Sequence, residues 1–303
     1  MKLKHWPYIF TLPYFLLYFL FGIFPIFFTL YISFTKWNII GAKEFIGFSN
    51  YLFLFNSSAY FFKAIWNTVI IMLEYLPLQI LLGLGFAALI HAMKTRLKRF
   101  FQLAIFSPYI TTPVAIGIIF ALIFDWRTGL INTLLIELGI LKEGINWLGN
   151  PVNARLIVGL TILWKNLGYV MMVYLAGISG IPNELNEAAC IDGATSLQTF
   201  YRIIIPMLRP ITLFLVITSI IGGFQLFEEP MLLLSGWTSG QIVVGGPERS
   251  CLTAIWYLYD IAFGGRSTID YGLGAAIAYG LFIIIAIFSF LGFKFINRGE
   301  ETV

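Results

Sequence analysis

The chain has 303 residues, 59% of them hydrophobic and 11% charged, with a mean hydropathy of +0.87 and a formal net charge of +4. So few charged groups cannot coat a soluble globule of this size, and apolar runs of membrane length recur, so the composition implies an integral membrane protein. The Lys and Arg residues are scattered and not interleaved with base-stacking aromatics, which argues against nucleic acid as a partner and leaves the basic residues to set topology.

Lys2 and Lys4 precede an apolar run over 8–34, too long for a signal-peptide core and without a small-residue cleavage site, so it reads as a retained first membrane helix. Pro13 and Pro25 fall within it, Pro13 as the expected helix start and Pro25 as either a kink or the point where the helix re-forms. Residues 35–65 are mixed and aromatic and form an external loop. A second helix spans 67–91 and ends at Lys94, Arg96, Lys98 and Arg99, a cluster that anchors this end in the cytoplasm. The third helix spans 100–124 and carries Pro108 and Pro113. Residues 125–153 form an external loop with a short surface helix. The fourth helix spans 155–175, the fifth 211–234 and the sixth 271–296, closed by Lys294 and Arg298, with an external loop over 235–269. Segments 1–7, 92–99, 180–210 and 294–303 hold 10 of the 19 Lys and Arg. This bias places both termini in the cytoplasm. The chain, 1–303, reads as one all-α integral membrane domain.

Between the fourth and fifth spans lies a polar insert, 180–210. Asn183 suits the N-cap of a first helix with Glu184 and Glu187 in its opening turn, where the helix dipole favours carboxylates. Gly193 supplies the left-handed residue that stops it, and Thr195 with Gln198 forms a capping box for a second helix. Pro206 ends that helix, and Pro210 suits the first turn of the next. Ala188 and Ala189 beside Glu187 keep the surface low, as a docking knob requires.

Polar groups within spans are default functional candidates, because each is costly in lipid. Thr218, Gly222, Gln225 and Glu229 share one face of the fifth helix, and Lys165, Asn166 and Tyr169 share one face of the fourth, with Trp164 adjacent. Aromatic, amide and hydroxyl groups suit a hydrogen-bonding solute such as a carbohydrate. The bland alternative is interhelical glue, with Lys165 paired to Glu229, Glu228 or Glu74. Glu74 sits beside Pro77, where a local role at a helix break is as reasonable as one in the path.

Cys190 and Cys251 fall on opposite sides of the membrane and read as inert small residues. His5 and His91 are isolated, so no metal centre is expected. No phosphate-binding Gly-rich loop of the form GxxxxGK[ST] occurs, so the chain itself carries no ATPase and no cofactor.

The order Glu187-Ala188-Ala189, Gly193, Ile203 and Ile205-Pro206 resembles the EAA loop of permease subunits in binding-protein-dependent ABC importers. The fuller phrase, with Ile181-Pro182, Glu184-Leu185 and Asp192-Gly193-Ala194, resembles the sugar-uptake, maltose-type branch; Ile205 stands where that family usually has Leu. The phrases IGFSNY at 46–51 and SPYITTP at 107–113 are also similar to that branch.

The resemblance implies the six-helix type I importer architecture, with a cytoplasmic coupling helix between helices 4 and 5. Glu187 would be the chief contact with the ATPase, Gly193 the turn, and Glu184, Ala188, Ala189, Asp192 and Arg202 supporting positions. It implies a second homologous permease in a heterodimer, two ATPase subunits carrying ATP and Mg, and an extracytoplasmic solute-binding protein, in a bacterial or archaeal cytoplasmic membrane. The positions Lys165, Asn166, Tyr169, Thr218, Gly222, Gln225 and Glu229 match where maltose-type permeases contact sugar, although Lys165 and Asn166 differ in side chain. Related permeases carry glycerol phosphate or other small polar solutes. A lipid-modifying enzyme and an ion-driven secondary transporter are the rivals of other classes; the lack of a His-carboxylate or Ser-His-Asp arrangement argues against the first, and the coupling-loop pattern against both.

Overall fold

The computed structural model describes residues 6–38, 41–93, 97–234, 243–264 and 269–297. Lys2, Lys4, Lys94, Arg96 and Arg298, which set the expected topology, and His5 lie outside them. The described chain is helical apart from one two-residue antiparallel β pair and its loops. It forms two compact units, one from Met1–Phe62 with Tyr257–Ile284 and one from Lys63–Trp256 with Ile285–Val303.

In the first unit, α1 (Trp6–Tyr18) and α2 (Phe24–Ser33) make one continuous apolar rod, joined by a π-helical turn over Phe19–Ile23. The turn answers Pro25, which lacks an N–H and crowds the carbonyl four residues back; widening the helix absorbs that defect, and the regular α-helix re-forms at Phe24 and Pro25, the second of the two outcomes expected there. Pro13 lies inside α1 and does not mark its start. Strands β1 (Thr35–Lys36) and β2 (Glu44–Phe45) pair Thr35 with Phe45. Helix α3 (Ser49–Asn56) follows, and its buried Asn50 donates through Nδ2 to the Ser33 and Thr35 carbonyls, both at 2.9 Å. Thus the phrase at 46–51 ties the end of the first rod to the loop after it.

In the second unit, α4 (Phe61–Ala92) starts six residues earlier than expected and runs through Pro77. At 32 residues it measures about 48 Å, more than the ~30 Å hydrocarbon layer needs. No break lies beside Glu74: losing one backbone bond at a proline costs less than exposing several in an apolar surrounding.

The third span is not one helix. Helices α5 (Leu97–Ile110) and α6 (Pro113–Ile123) meet at 98°. Thr112 precedes Pro113 and is held in the extended region (φ −63°, ψ 141°), which stops α5, while its hydroxyl caps Ala115 N of α6.

The loop at 125–150 contains α7 (Leu130–Glu137), the short helix expected there. It is organised by buried Asn132, whose amide donates to the Trp126 and Ile145 carbonyls and accepts from Ile145 N and Trp147 Nε1. Asp125 Oδ1 accepts from the Thr128 and Arg127 amides and the Thr128 hydroxyl. These bonds, the Thr128 amide first, hold the Asp125 carboxyl below its ordinary range.

Helix α8 (Pro151–Ser179) outruns the expected 155–175 at both ends, because Asn150 caps it through Val152 N and Asn153 N and Pro151 takes its first position. Its Gly168 lies against α5: a Cβ there would overlap the Ile105 carbonyl. A small residue at such a crossing lets two membrane helices approach backbone to backbone. The core of the unit gathers Ala87 and Ile90 of α4, Met171, Tyr174 and Ile178 of α8, and Leu208 and Leu215 further on.

After α8 come α9 (Asn183–Ile191), α10 (Ser196–Thr199), a π turn over Phe200–Ile204, α11 (Ile205–Met207) and α12 (Arg209–Phe224), bent by 60° at Leu208. Pro206 therefore does not end its helix. The π turn before it accommodates the missing donor, as at Pro25, and the chain turns two residues later.

The fifth span also breaks. Helix α12 stops at Phe224 after Gly222-Gly223, and a short α13 (Glu228–Leu233) follows. Glycines weaken the helix, and Pro230 cannot donate to the Leu226 carbonyl. That carbonyl accepts from the Thr253 hydroxyl at 2.6 Å instead.

The described part of the loop expected over 235–269 holds a tight turn at Pro247–Arg249, with positive φ at Glu248 and Arg249, and then α14 (Ala254–Phe263). Asn67 and Lys63 of α4 donate to the Arg249 and Glu248 carbonyls at 2.8 and 2.7 Å. Helix α15 (Tyr271–Asn297) is the last. Among the described residues, four stretches are long and apolar enough to cross a membrane, or up to six if each bent pair is one span. The sequence-based uninterrupted helices 100–124 and 211–234 are corrected accordingly.

Candidate functional site: a polar cavity and a surface hairpin

A cavity of about 600 Å³ opens within the second unit. Tyr75 and Gln79 of α4, one turn apart, contribute one wall, and Tyr109 of α5 with Asn166 and Tyr169 of α8 contribute another. Thr218, Ser219 and Gly222 of α12 with Gln225, Glu228 and Glu229 complete it. Six of the seven path candidates therefore line one space. Three of the fifth-span residues reach it by helical spacing. Glu229 reaches it by a different route, because the helix breaks at Gln225 and α13 restarts beneath the cavity.

Lys165 is the candidate that does not line the cavity. Its Nζ meets Glu229 Oε1 at 2.5 Å, with side-chain exposures of 16% and 11%. Of the three carboxylates expected as partners, Glu229 is the one engaged. Trp164 also departs from expectation: it packs on Phe120, ring centroids 5.4 Å apart, outside the cavity lining. The aromatic surface is instead Tyr109 stacked on Tyr169, with centroids 5.1 Å apart and planes 18° from parallel. The Thr218 hydroxyl donates back to its own helix, to Phe214 O at 2.7 Å, so it faces the cavity as an acceptor.

The structure adds Tyr75, Gln79, Tyr109, Ser219 and Glu228. Gln79 is buried, and its Oε1 has no hydrogen-bond partner among the described residues. The signal in the sequence was a polar pair, Tyr75 and Gln79, at helical spacing in an otherwise apolar span. Glu74 is not part of the lining: its side chain packs at Gly159, with Oε2 buried and unpaired.

The second element is the hairpin from α9 to α11. Pro182 takes the cap position and Asn183 becomes the first helical residue, with no side-chain cap bond, so the expected Asn183 cap is displaced by one. Glu184 lies in the first turn and Glu187 in the next. Gly193 has φ +75°, with Gly193 N bonded to Cys190 O and Ala194 N to Ala189 O, the paired bonds that end a helix at a left-handed residue. Thr195 and Gln198 cap each other reciprocally, as expected.

Glu184, Glu187, Ala188, Asp192, Gly193 and Arg202 are all exposed, but Ala189 is buried. The low surface beside Glu187 is therefore Ala188 alone. Ala189 lets α9 sit close to its own unit. Ile191 and Leu197 stand out from the hairpin at 86% and 66% exposure, an apolar supplement to the carboxylates.

Residues 79–298 match the family model described as "Binding-protein-dependent transport system inner membrane component". The chain belongs to this family. The permease is 34% identical to the arabinooligosaccharides transport system permease of Bacillus subtilis over 95% of its own length and 87% of that protein's. It is 36% identical to the lactose transport system permease of Rhizobium radiobacter, covering 82% and 80% of the two chains. Its fold is similar to a bacterial ABC transporter involved in import of the acidic polysaccharide alginate, with a TM-score of 0.82, 22% identity, and coverage of 97% and 96%. It is thus a multi-pass, non-catalytic membrane subunit of an ABC transport system, with ATP hydrolysis on separate subunits.

Proposed function

We propose that this permease moves a sugar or oligosaccharide into the cytoplasm by ATP-driven alternating access. The observation that carries the reading is the cavity of about 600 Å³ lined by the stacked pair Tyr109 and Tyr169 together with amides and hydroxyls. A flat aromatic face accepts a pyranose ring, and amides that donate and accept suit its hydroxyls. The arabinooligosaccharide and lactose permeases among its relatives support the same class of solute.

The permease works as one transmembrane domain of six spans, two of them bent, with both termini in the cytoplasm. It pairs with a second, different permease, two ATPase subunits that carry ATP and Mg, and an extracytoplasmic solute-binding protein. The hairpin 180–210 is the cytoplasmic coupling element: Glu187 makes the chief contact with the ATPase, Glu184, Ala188, Asp192 and Arg202 support it, and Gly193 and Ala189 set its shape. Closure of the ATPase dimer draws the hairpins together and rocks the helices that carry the cavity.

The test is ATPase activity of the reconstituted complex with a sugar-loaded binding protein. Stimulation is expected with the wild-type permease and is expected to collapse in Glu187→Ala while the complex remains assembled. Unchanged stimulation in that variant would place the coupling contact elsewhere, and the absence of any associated ATPase would overturn the importer reading.

A further inference from the structure

The wall of the cavity carries charge of one sign. Among the described residues, and apart from tyrosines, its only ionisable side chains are Glu228 and Glu229. The neighbouring cation, Lys165, is engaged by Glu229 and does not reach the wall. A partly buried ammonium held by a carboxylate cannot also neutralise a solute unless that pair breaks, which is costly. Glu228 is exposed on the wall and forms no ion pair among the described residues. A solute in this cavity therefore meets one carboxylate that no cation among the described residues pairs with, and the field of that charge, though screened by solvent, acts on a group held beside it. The remaining polar groups, Gln79, Asn166, Gln225 and Thr218, are neutral and suit hydroxyls.

The geometry points to a path that admits uncharged saccharides and rejects those bearing a carboxylate, phosphate or sulfonate. Glu228 is the discriminating residue, and the Lys165–Glu229 pair keeps that lysine from serving as an anion receptor. This rests on the sugar-import reading above. It also separates the permease from a carrier of glycerol phosphate, which would need a free cation at the same place.

The experiment is equilibrium binding to the complete complex in lipid nanodiscs, without the solute-binding protein, whose own selectivity would mask that of the permease. The probes are lactose and maltotriose, each with its counterpart oxidised to a uronate at one primary alcohol. The neutral form of the sugar that binds is expected to bind about tenfold tighter than its uronate, with the gap narrowing as salt is raised. In Glu228→Gln, and in Glu229→Gln, where the freed Lys165 offsets Glu228, the ratio is expected to fall to about threefold or less. Equal binding of neutral and uronate forms by the wild type, or a ratio unmoved by Glu228→Gln, would overturn the inference and leave sugar import standing. Glu228→Gln decides the matter if Glu229→Gln fails to assemble, since it leaves the ion pair intact. Binding of no saccharide of either charge by an assembled, ATP-hydrolysing complex would overturn the sugar reading itself.

Discussion

Lys165 of α8 and Glu229 of α13 meet at 2.5 Å, fastening the helix that follows the break in the fifth span to the long helix beside it. Removing one partner leaves the other charge largely buried and unpaired, a loss of about 3–5 kcal/mol, whereas replacing both with apolar groups removes the desolvation cost as well. Thermal unfolding of the purified complex should therefore show Lys165→Met and Glu229→Met each strongly destabilised, and the double variant recovering most of the loss. Additive losses in the double variant would mean that the pair does not act as a unit.

The break itself depends on Thr253, whose hydroxyl takes the Leu226 carbonyl that Pro230 cannot serve. Thr253→Val keeps the shape and leaves that buried carbonyl unpaired, at about 1–3 kcal/mol. Hydrogen exchange should report faster opening of α13 and of residues 251–256 in the variant, with α8 unchanged.

Much of this was legible in the sequence, and the misses share a cause. The 3.6-residue spacing placed Thr218, Gly222 and Gln225 on one face, and the Gly193 stop and Thr195–Gln198 box depend only on local chemistry. What apolar runs do not report is where a run bends. Pro113 and Pro230 were visible, but whether a proline breaks a helix, widens it to a π turn as at Pro25 and Pro206, or is passed through as at Pro77 depends on what the freed carbonyl meets in three dimensions. The same limit hid the partner of Lys165 among three carboxylates, and the contact of Trp164 with Phe120 while Tyr109 stacks on Tyr169.

Gly193 has φ +75° and no neighbour within 4 Å of a Cβ placed there, so Gly193→Ala meets backbone strain and no clash. The expected cost is about 1 kcal/mol, local to the hairpin. Sugar-stimulated ATP hydrolysis should fall several-fold while the melting temperature of the complex moves little. Gly168→Ala should behave in the opposite way, because its methyl would strike the Ile105 carbonyl where α5 crosses α8. Its signature is loss of assembled complex.

Asp125 gives the loop at 125–147 an acid-sensitive anchor. Its carboxyl is held low by the Thr128 and Arg127 donors, so the stabilisation is present at neutral pH, above the unfolded value near 4, and is lost as pH falls through the lower folded value. Hydrogen exchange at the Thr128 amide, corrected for intrinsic rate, should speed up as pH falls below about 4 in the wild type. In Asp125→Ala it should be fast throughout.

The most direct test of the central claim is uptake of labelled saccharide by proteoliposomes holding the complete transporter, with ATP hydrolysis followed in the same vesicles, for wild type and for Tyr169→Ala and Asn166→Ala. If the cavity between α4, α5, α8 and α12 is the solute path, uptake should fall at least about tenfold in each variant, a loss of about 1.4 kcal/mol or more, while ATP hydrolysis persists. Uptake that continues at the wild-type rate in both variants would contradict the account and place the path outside this cavity.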